Sequence, residues 1–314
     1  MINTITTGND PMKPMTYNSM PAPRDMLNEF VSFIDIKPAS ASTYRKAIKQ
    51  FFEYVEMHGI TAPTRETVID WREDMKESHS ASTVQTYMIA VRRFFQWASN
   101  AGYYSNIADG VKGVKVSRSH KRDYLTQQQA KHLLSNIDQT TSTGKRDFAI
   151  VALMISCGLR DIEVARANIC DLKAKGGRTV LYIQGKGRDD RDEFITVPAP
   201  TEEAIRRYLS TRSEAKGNEP LFISESRRCK GARLSTRTIS GIVKEELRGA
   251  GFNSDRLTAH SLRHTAATLA LLNGCDIRQV QQFLRHASIN TTEIYSHDLD
   301  AIENPCSTTI ASLF

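Results

Sequence analysis

The chain has 314 residues, 40% of them hydrophobic, and 42 Lys and Arg against 35 Asp and Glu give a formal charge of +7. This apolar content excludes a wholly disordered protein, and the length favours two domains over one. No apolar run reaches the roughly 20 residues of a membrane span, and the excess of positive charge favours a polyanionic partner.

Residues 1–23 are polar and rich in Pro and Met, without the basic start and apolar middle of a signal peptide. They read as a disordered lead-in to a cytoplasmic protein. The five cysteines (Cys157, Cys170, Cys229, Cys275, Cys306) are scattered and form no Cys-x-x-Cys pair, which points to reduced thiols and no zinc site.

Residues 24–110 carry four amphipathic helical patterns. The first runs from Arg24 to Ile36 and is broken at Lys37-Pro38-Ala39-Ser40. Ser40 or Ser42 is the expected cap of the second, which places Ala47, Ile48, Phe51, Phe52 and Val55 on one side. Thr64 opens the third, and Ser80 or Ser82 opens the fourth, with Val84, Val91, Phe94, Phe95 and Trp97. These aromatics read as core. Opposite them lie Arg45, Lys46, Lys49, Arg92 and Arg93, a face that fits either plain solvent exposure or a DNA backbone.

Residues 111–123 read as a flexible basic linker carrying Lys112, Lys115, Arg118, Lys121 and Arg122, a candidate strap across a duplex. A second domain begins at 124. Thr126 is the expected cap of a helix through Leu134, and Gly144 to Ser156 is a strongly apolar, buried helix. It ends in Gly158-Leu159-Arg160-Asp161-Ile162-Glu163, where Arg160 taken alone would pair with a nearby carboxylate. Two β-rich stretches, Thr179 to Ile183 and Phe194 to Val197, bracket Gly185-Lys186-Gly187 and read as a hairpin. A helix is expected over Thr201 to Ser213 and another over Thr238 to Leu247. Between them Arg227, Arg228, Lys230, Arg233 and Arg237 form a second basic cluster, again a candidate DNA face.

The stretch from Thr258 to His297 concentrates the chemistry. His260 and Arg263 lie one helical turn apart. His286 follows the break at Asn273-Gly274, and Tyr295 comes nine residues later. A guanidinium grips phosphate oxygens through a planar fork, an imidazole exchanges protons near neutral pH, and a phenol can attack as a covalent nucleophile. Together they suit phosphoryl transfer without a metal.

His260-Ser261-Leu262-Arg263-His264, Leu284-Arg285-His286 and Thr292-Glu293-Ile294-Tyr295 resemble the C-terminal signature of the tyrosine recombinases, the phage-integrase family. Gly158-Leu159-Arg160-x-x-Glu163 resembles its first catalytic box. Ser40-Ala41-Ser42-Thr43 and Phe94-Phe95-Gln96-Trp97-Ala98 resemble its N-terminal core-binding domain. The likeness spans about Arg24 to His297 and implies a Xer-like layout. That layout is a mainly α fold, with a four-helix core-binding domain (24–110), the basic linker (111–123) and an α-rich catalytic domain with a small antiparallel sheet (124–297).

The resemblance further implies site-specific DNA recombination or integration through a 3′-phosphotyrosine, with no metal, cofactor or ATP. Tyr295 would be the nucleophile. Arg160, Arg263 and His286 would hold the phosphate, Lys186 would be the general acid, His260 would exchange the tyrosyl proton, and Glu163 would support Arg160. One departure is Asp189, where the family often has a second basic residue. The implied partner is a duplex recombination site, filled by a tetramer on two synapsed sites, with a monomer or weak oligomer away from DNA. The protein would then be bacterial or phage-type and nucleoid-associated. The tail 298–314, interrupted by Pro305 and ending in Ile310, Leu313 and Phe314, is expected to hook into a neighbouring protomer.

Three rivals exist. A metal hydrolase could draw on His260, His264, His286 and His297, but Arg263 is a poor neighbour for a cation and the Glu of His-Glu-x-x-His is missing. A non-catalytic helix-turn-helix regulator could turn at Asn273-Gly274, but it leaves Arg160, Lys186 and Tyr295 without a joint purpose. A DNA-relaxing topoisomerase uses similar chemistry and is the nearest enzymatic alternative.

Overall fold

The computed structural model describes residues 23–116, 123–185, 190–295 and 306–314. The expected disordered lead-in lies almost wholly outside them. The chain divides into two compact units, Met1–Ser117 and Arg118–Phe314.

The first unit packs four helices, α1 (Pro23–Phe33), α2 (Pro38–Met57), α3 (Arg65–Ser78) and α4 (Ala81–Asn100). Their apolar faces meet in an aromatic core. Phe51 packs edge to face on Trp71 and on Phe95, at 5.4 Å each, and Phe30 packs likewise on Phe94. Such pairs add to the burial of large rings. Thr67 reaches back to the Thr64 N–H at 3.0 Å, and Ser80 accepts from the Thr83 N–H at 3.3 Å, so both expected caps hold. The second helix starts earlier than expected. Lys37 is its cap and Pro38 occupies the first helical position, where a missing N–H costs nothing. Neither Ser40 nor Ser42 caps it.

The expected linker does not run free from its first residue. Val111 is 3% exposed and belongs to this core. Arg72 donates to the Lys112 carbonyl at 2.7 Å, and the Val114 N–H donates to Gln85 at 2.9 Å. Residues 111–114 are thus docked on α3 and α4.

The second unit is built round α6 (Ser142–Cys157). Ala149, Ile150, Val151, Leu153 and Met154 are all buried on it. Before it comes α5 (Gln127–Asn136), capped by Thr126, and after it α7 (Asp161–Arg166). A three-stranded antiparallel sheet follows, β1 (Leu172–Lys175), β2 (Arg178–Ile183) and β3 (Glu193–Thr196), in the order β1-β2-β3. Leu181 faces Leu172 on one side and Ile195 on the other. The hairpin reading captures β2 and β3 but misses β1, whose Leu-Lys-Ala-Lys is short and largely exposed. The remaining helices are α8 (Ala199–Leu209), α9 (Thr236–Gly249), α10 (Ala259–Leu272), α11 (Ile277–Leu284), α12 (290–295) and α13 (Cys306–Ala311). The expected hook at Pro305 lies outside the described residues; after it Ile310 on α13, and Leu313 and Phe314 beyond its end, are exposed. Among the described residues, no helix is long and apolar enough to cross a membrane.

Candidate active site

The site forms where the ends of three elements of the second unit meet. Gly158 terminates α6 in left-handed backbone, with φ +58°. This turns the chain so that Arg160 stands at the start of α7. Its guanidinium bonds Glu163 at 2.7 Å while its N–H donates to the other carboxylate oxygen at 2.9 Å. Arg263, on the second turn of α10, is 1% exposed. Its two terminal nitrogens donate to the carbonyls of Gly158, the residue that caps α6, and Leu284, the last residue of α11. Its Nε is buried without a hydrogen-bond partner. A buried donor of this kind is costly and calls for an acceptor.

The turn after α11 supplies the third side. Arg285 caps the helix and bonds Glu163 at 2.8 Å. His286 Nδ1 sits 2.9 Å from the hydroxyl of the fully buried Thr292. Tyr295, on α12, is 4% exposed. Its ring lies edge to face on His264 at 4.7 Å and nearly parallel to His286 at 6.2 Å. Behind His264 stacks Tyr124, at 5.5 Å.

The electrostatics are lopsided. Arg160, Arg263 and Arg285 share one carboxylate, Glu163, which is 1% exposed. Burial alone would raise the Glu163 carboxyl, but Arg285, the Arg160 N–H and the remaining arginine charges outweigh it and hold it below its ordinary value. Burial, then the Arg160 charge, pulls the Arg263 guanidinium down to about 9, which leaves it cationic at neutral pH. Burial, then Arg263, Arg160, Arg285 and His260, pull His286 down to about 4, so its imidazole is neutral there. The result is a largely buried, net positive cluster beside a phenol, which is suited to an anion.

Of the residues expected at the site, Arg160, Glu163, Arg263, His286 and Tyr295 converge. His260 stands exposed on the first turn of α10, near enough to bear on His286. Lys186 lies outside the described residues, although Gly185, beside it, accepts from Arg166 of α7 at 3.2 Å. His264, four residues after the exposed His260 on α10, is 1% exposed between two tyrosine rings. His297 lies outside the described residues.

Sequence reasoning gave no role in phosphoryl transfer to Arg285, His264, Thr292 or Tyr124. The first three stand inside the quoted signature, but their roles rest on partners far along the chain or hidden in the packing.

The candidate DNA-contact residues are more dispersed. Lys49, Arg93, Lys115, Arg227, Arg228, Lys230 and Arg237 are exposed. Lys49 also pairs with Glu53 at 3.5 Å, and Arg93 lies over the Tyr44 ring. Arg45 is half-buried and bonds Asn28, and Arg92 is half-buried with Nε and Nη2 lacking partners. Arg118, Lys121 and Arg122 lie outside the described residues. Arg233, in the same basic stretch, is exposed but its terminal nitrogens are engaged within the unit. It donates to the carbonyls of Ala165 and Ala167 and to Asn168.

Residues 123–301 match the model of the phage integrase family, and residues 27–102 match that of the phage integrase N-terminal SAM-like domain. The tyrosine recombinase XerC of Thermodesulfovibrio yellowstonii is 29% identical over 287 residues, covering 86% of this chain and 91% of that protein. The tyrosine recombinase XerA of Thermococcus kodakarensis is 30% identical over 280 residues, covering 88% and 92%. In fold, the chain is similar to the XerH site-specific recombinase in its post-cleavage complex with palindromic difH substrate, with a TM-score of 0.75 at 21% identity, over 94% of this chain and 86% of that one. With more than half its length matched by the integrase model and both units accounted for, the chain belongs to the phage integrase family, the tyrosine recombinases.

Proposed function

We propose that this recombinase cuts and rejoins duplex DNA at a specific site through a 3′-phosphotyrosine on Tyr295. One observation carries the reading: three guanidiniums answer to a single buried carboxylate, beside a tyrosine flanked by two imidazoles. A phosphodiester supplies the missing negative charge, and the charge grows on its non-bridging oxygens as phosphorus becomes five-coordinate. Donors fixed in advance around those oxygens are worth most in a dry site.

The Tyr295 oxygen attacks phosphorus and the bond to the 5′ oxygen breaks. Lys186 gives that oxygen a proton, and His260, exposed at the rim, takes the proton of the phenol. Arg160 and Arg263 hold the non-bridging oxygens. In this mechanism His286 takes the tautomer in which Nδ1 accepts from the Thr292 hydroxyl and the Nε2–H donates a hydrogen bond to the phosphate. The phosphotyrosine conserves the energy of the broken bond, so a 5′ hydroxyl from a second strand reverses the step without ATP. The arginines provide the charge stabilisation that a metal provides elsewhere.

The exposed lysines and arginines of the two units would track the DNA backbone, and the exposed Ile310, Leu313 and Phe314 at and beyond the end of α13 fit a contact with a neighbouring protomer, as in a tetramer on two synapsed sites. A cytoplasmic, nucleoid-associated protein follows from that partner.

The test is a nicked suicide substrate, which should trap the wild-type protein as a covalent adduct on the 3′ phosphate. Tyr295→Phe should bind the same DNA with the same affinity and form no adduct. An adduct with the Phe variant would overturn the assignment of Tyr295.

A further inference from the structure

Among the described residues, Arg285 is the one non-glycine with positive φ, at φ 55° and ψ 47°. A Cβ makes this left-handed backbone costly, and helices that end in it ordinarily use glycine or asparagine. Strain of this kind persists where the surroundings fix it, and it concentrates at functional sites. Ending α11 therefore does not explain an arginine here; its side chain must.

That side chain is 8% exposed and reaches Glu163, 122 positions away in sequence. The two oxygens of Glu163 are divided. Oε1 takes the Arg160 guanidinium at 2.7 Å, and Oε2 is shared by the Arg160 N–H and Arg285 Nη2. Both Arg160 contacts come from one local turn, three residues apart. By themselves they would let Arg160 and Glu163 shift together as a body. Arg285 adds the long-range tie. A second nitrogen, Nη1, donates to the Phe283 carbonyl at 2.8 Å and stiffens the turn it leaves from.

The flanking residues reinforce this. Leu284 accepts from Arg263 through its carbonyl, and His286 meets Thr292. Three consecutive residues thus link the turn after α11 to Arg263, to Glu163 and to α12, the helix that carries Tyr295.

We propose that Arg285 is a positioning residue for strand cleavage, which pins Glu163 from a left-handed turn and so fixes Arg160 relative to His286 and Arg263. The proposal rests on the recombinase reading above. It assigns Arg285 no contact with the DNA. Its work is to hold an orientation through a carboxylate.

The experiment measures adduct formation on the suicide substrate by the full-length protein. Arg285→Gly preserves the turn, since glycine adopts that backbone freely. It should slow cleavage roughly tenfold to a hundredfold, the scale of a small misplacement at a reacting centre, with half-site affinity unchanged. Arg285→Lys, which keeps the cation, should recover part of that rate, and Arg285→Gln should not. In the Glu163→Gln background, Arg285→Gly should cost little more, because both changes break one link. Wild-type cleavage by Arg285→Gly, or losses that multiply in the double variant, would overturn the proposal. Should Arg285→Gly fail to fold, the Lys and Gln variants decide, and equal rates sink the idea. A wild-type protein that forms no adduct would instead count against the recombinase mechanism itself.

Discussion

The ring of Tyr295 meets that of His264 edge to face, with centroids 4.7 Å apart. His264 is buried and stacked on Tyr124, while His286 lies nearly parallel to the tyrosine ring with centroids 6.2 Å apart. The proposed nucleophile is therefore placed by packed rings from three separate stretches of chain. Edge-to-face ring pairs contribute beyond their buried area, and a filled core resists displacement.

Removing the middle ring should loosen the nucleophile. His264→Ala should destabilise the protein by about 2–4 kcal/mol, in the range of large-to-small core changes, and slow adduct formation. His264→Phe keeps the ring but loses the 3.4 Å contact between His264 Nδ1 and the Thr268 hydroxyl. It should recover most of the stability and most of the rate. Denaturant melts and adduct kinetics measure the two effects. If the Ala variant is as slow as expected and the Phe variant no faster, the imidazole matters for its polarity and not for its shape.

Local chemistry explains what the sequence made legible. Thr64, Ser80 and Thr126 announce helix starts because a hydroxyl near the first free N–H groups acts within a few residues. Arg160 and Glu163 are readable for the same reason, being one turn apart. Arg285 was not, because its partner is in another element and its backbone conformation leaves no mark on residue type. Pro38 was read as a break when it is a first helical residue, two uses that one sequence signal serves equally. Strand β1 was missed because an exposed edge strand has no buried face to impose alternation.

Gly158 is legible as a break but not as a packing requirement. Its φ is +58°, and an added Cβ would lie 2.8 Å from Leu284 Cδ2 and 3.1 Å from Phe283. Its carbonyl also accepts from Arg263. Gly176 has a similar φ, +57°, with nothing within 4 Å of a Cβ. Gly176→Ala should therefore cost only the backbone term, about 1–2 kcal/mol. Gly158→Ala should add an overpacking cost of about 1–3 kcal/mol and lower the cleavage rate, because α11 must move and the Leu284 and Gly158 carbonyls move with it. Equal losses in the two variants, read from denaturant midpoints, would show that the close approach of α11 is relaxed without consequence.

His286 gives the clearest pH dependence. Burial is the largest cause of its shift, followed by Arg263, Arg160, Arg285 and His260, and together they pull the imidazole from 6.5 to about 4. Between those values the unfolded chain holds a proton that the folded chain does not. Stability then rises with pH across the window, is fully present above it, and is lost as pH falls through it. Below about 4 both states are protonated and this contribution no longer changes. Glu163 acts in the same direction on the acid side. Its carboxyl is held below 4.5, so the stability it contributes is lost as pH falls through that lower value. The two are separated by substitution. His286→Gln removes the first and leaves the second, so the difference between wild-type and variant denaturation midpoints should shrink or reverse on acidification within the His286 window. Bound DNA changes the balance, because a phosphodiester beside the ring favours the imidazolium. The acid limb of the cleavage rate should then lie above the value that governs folding, since the rate reports the complex. Parallel pH profiles for wild type and His286→Gln stability would mean that the folded protein holds His286 near its ordinary value. The imidazole would then be better solvated than the burial of Arg263 and Thr292 beside it implies.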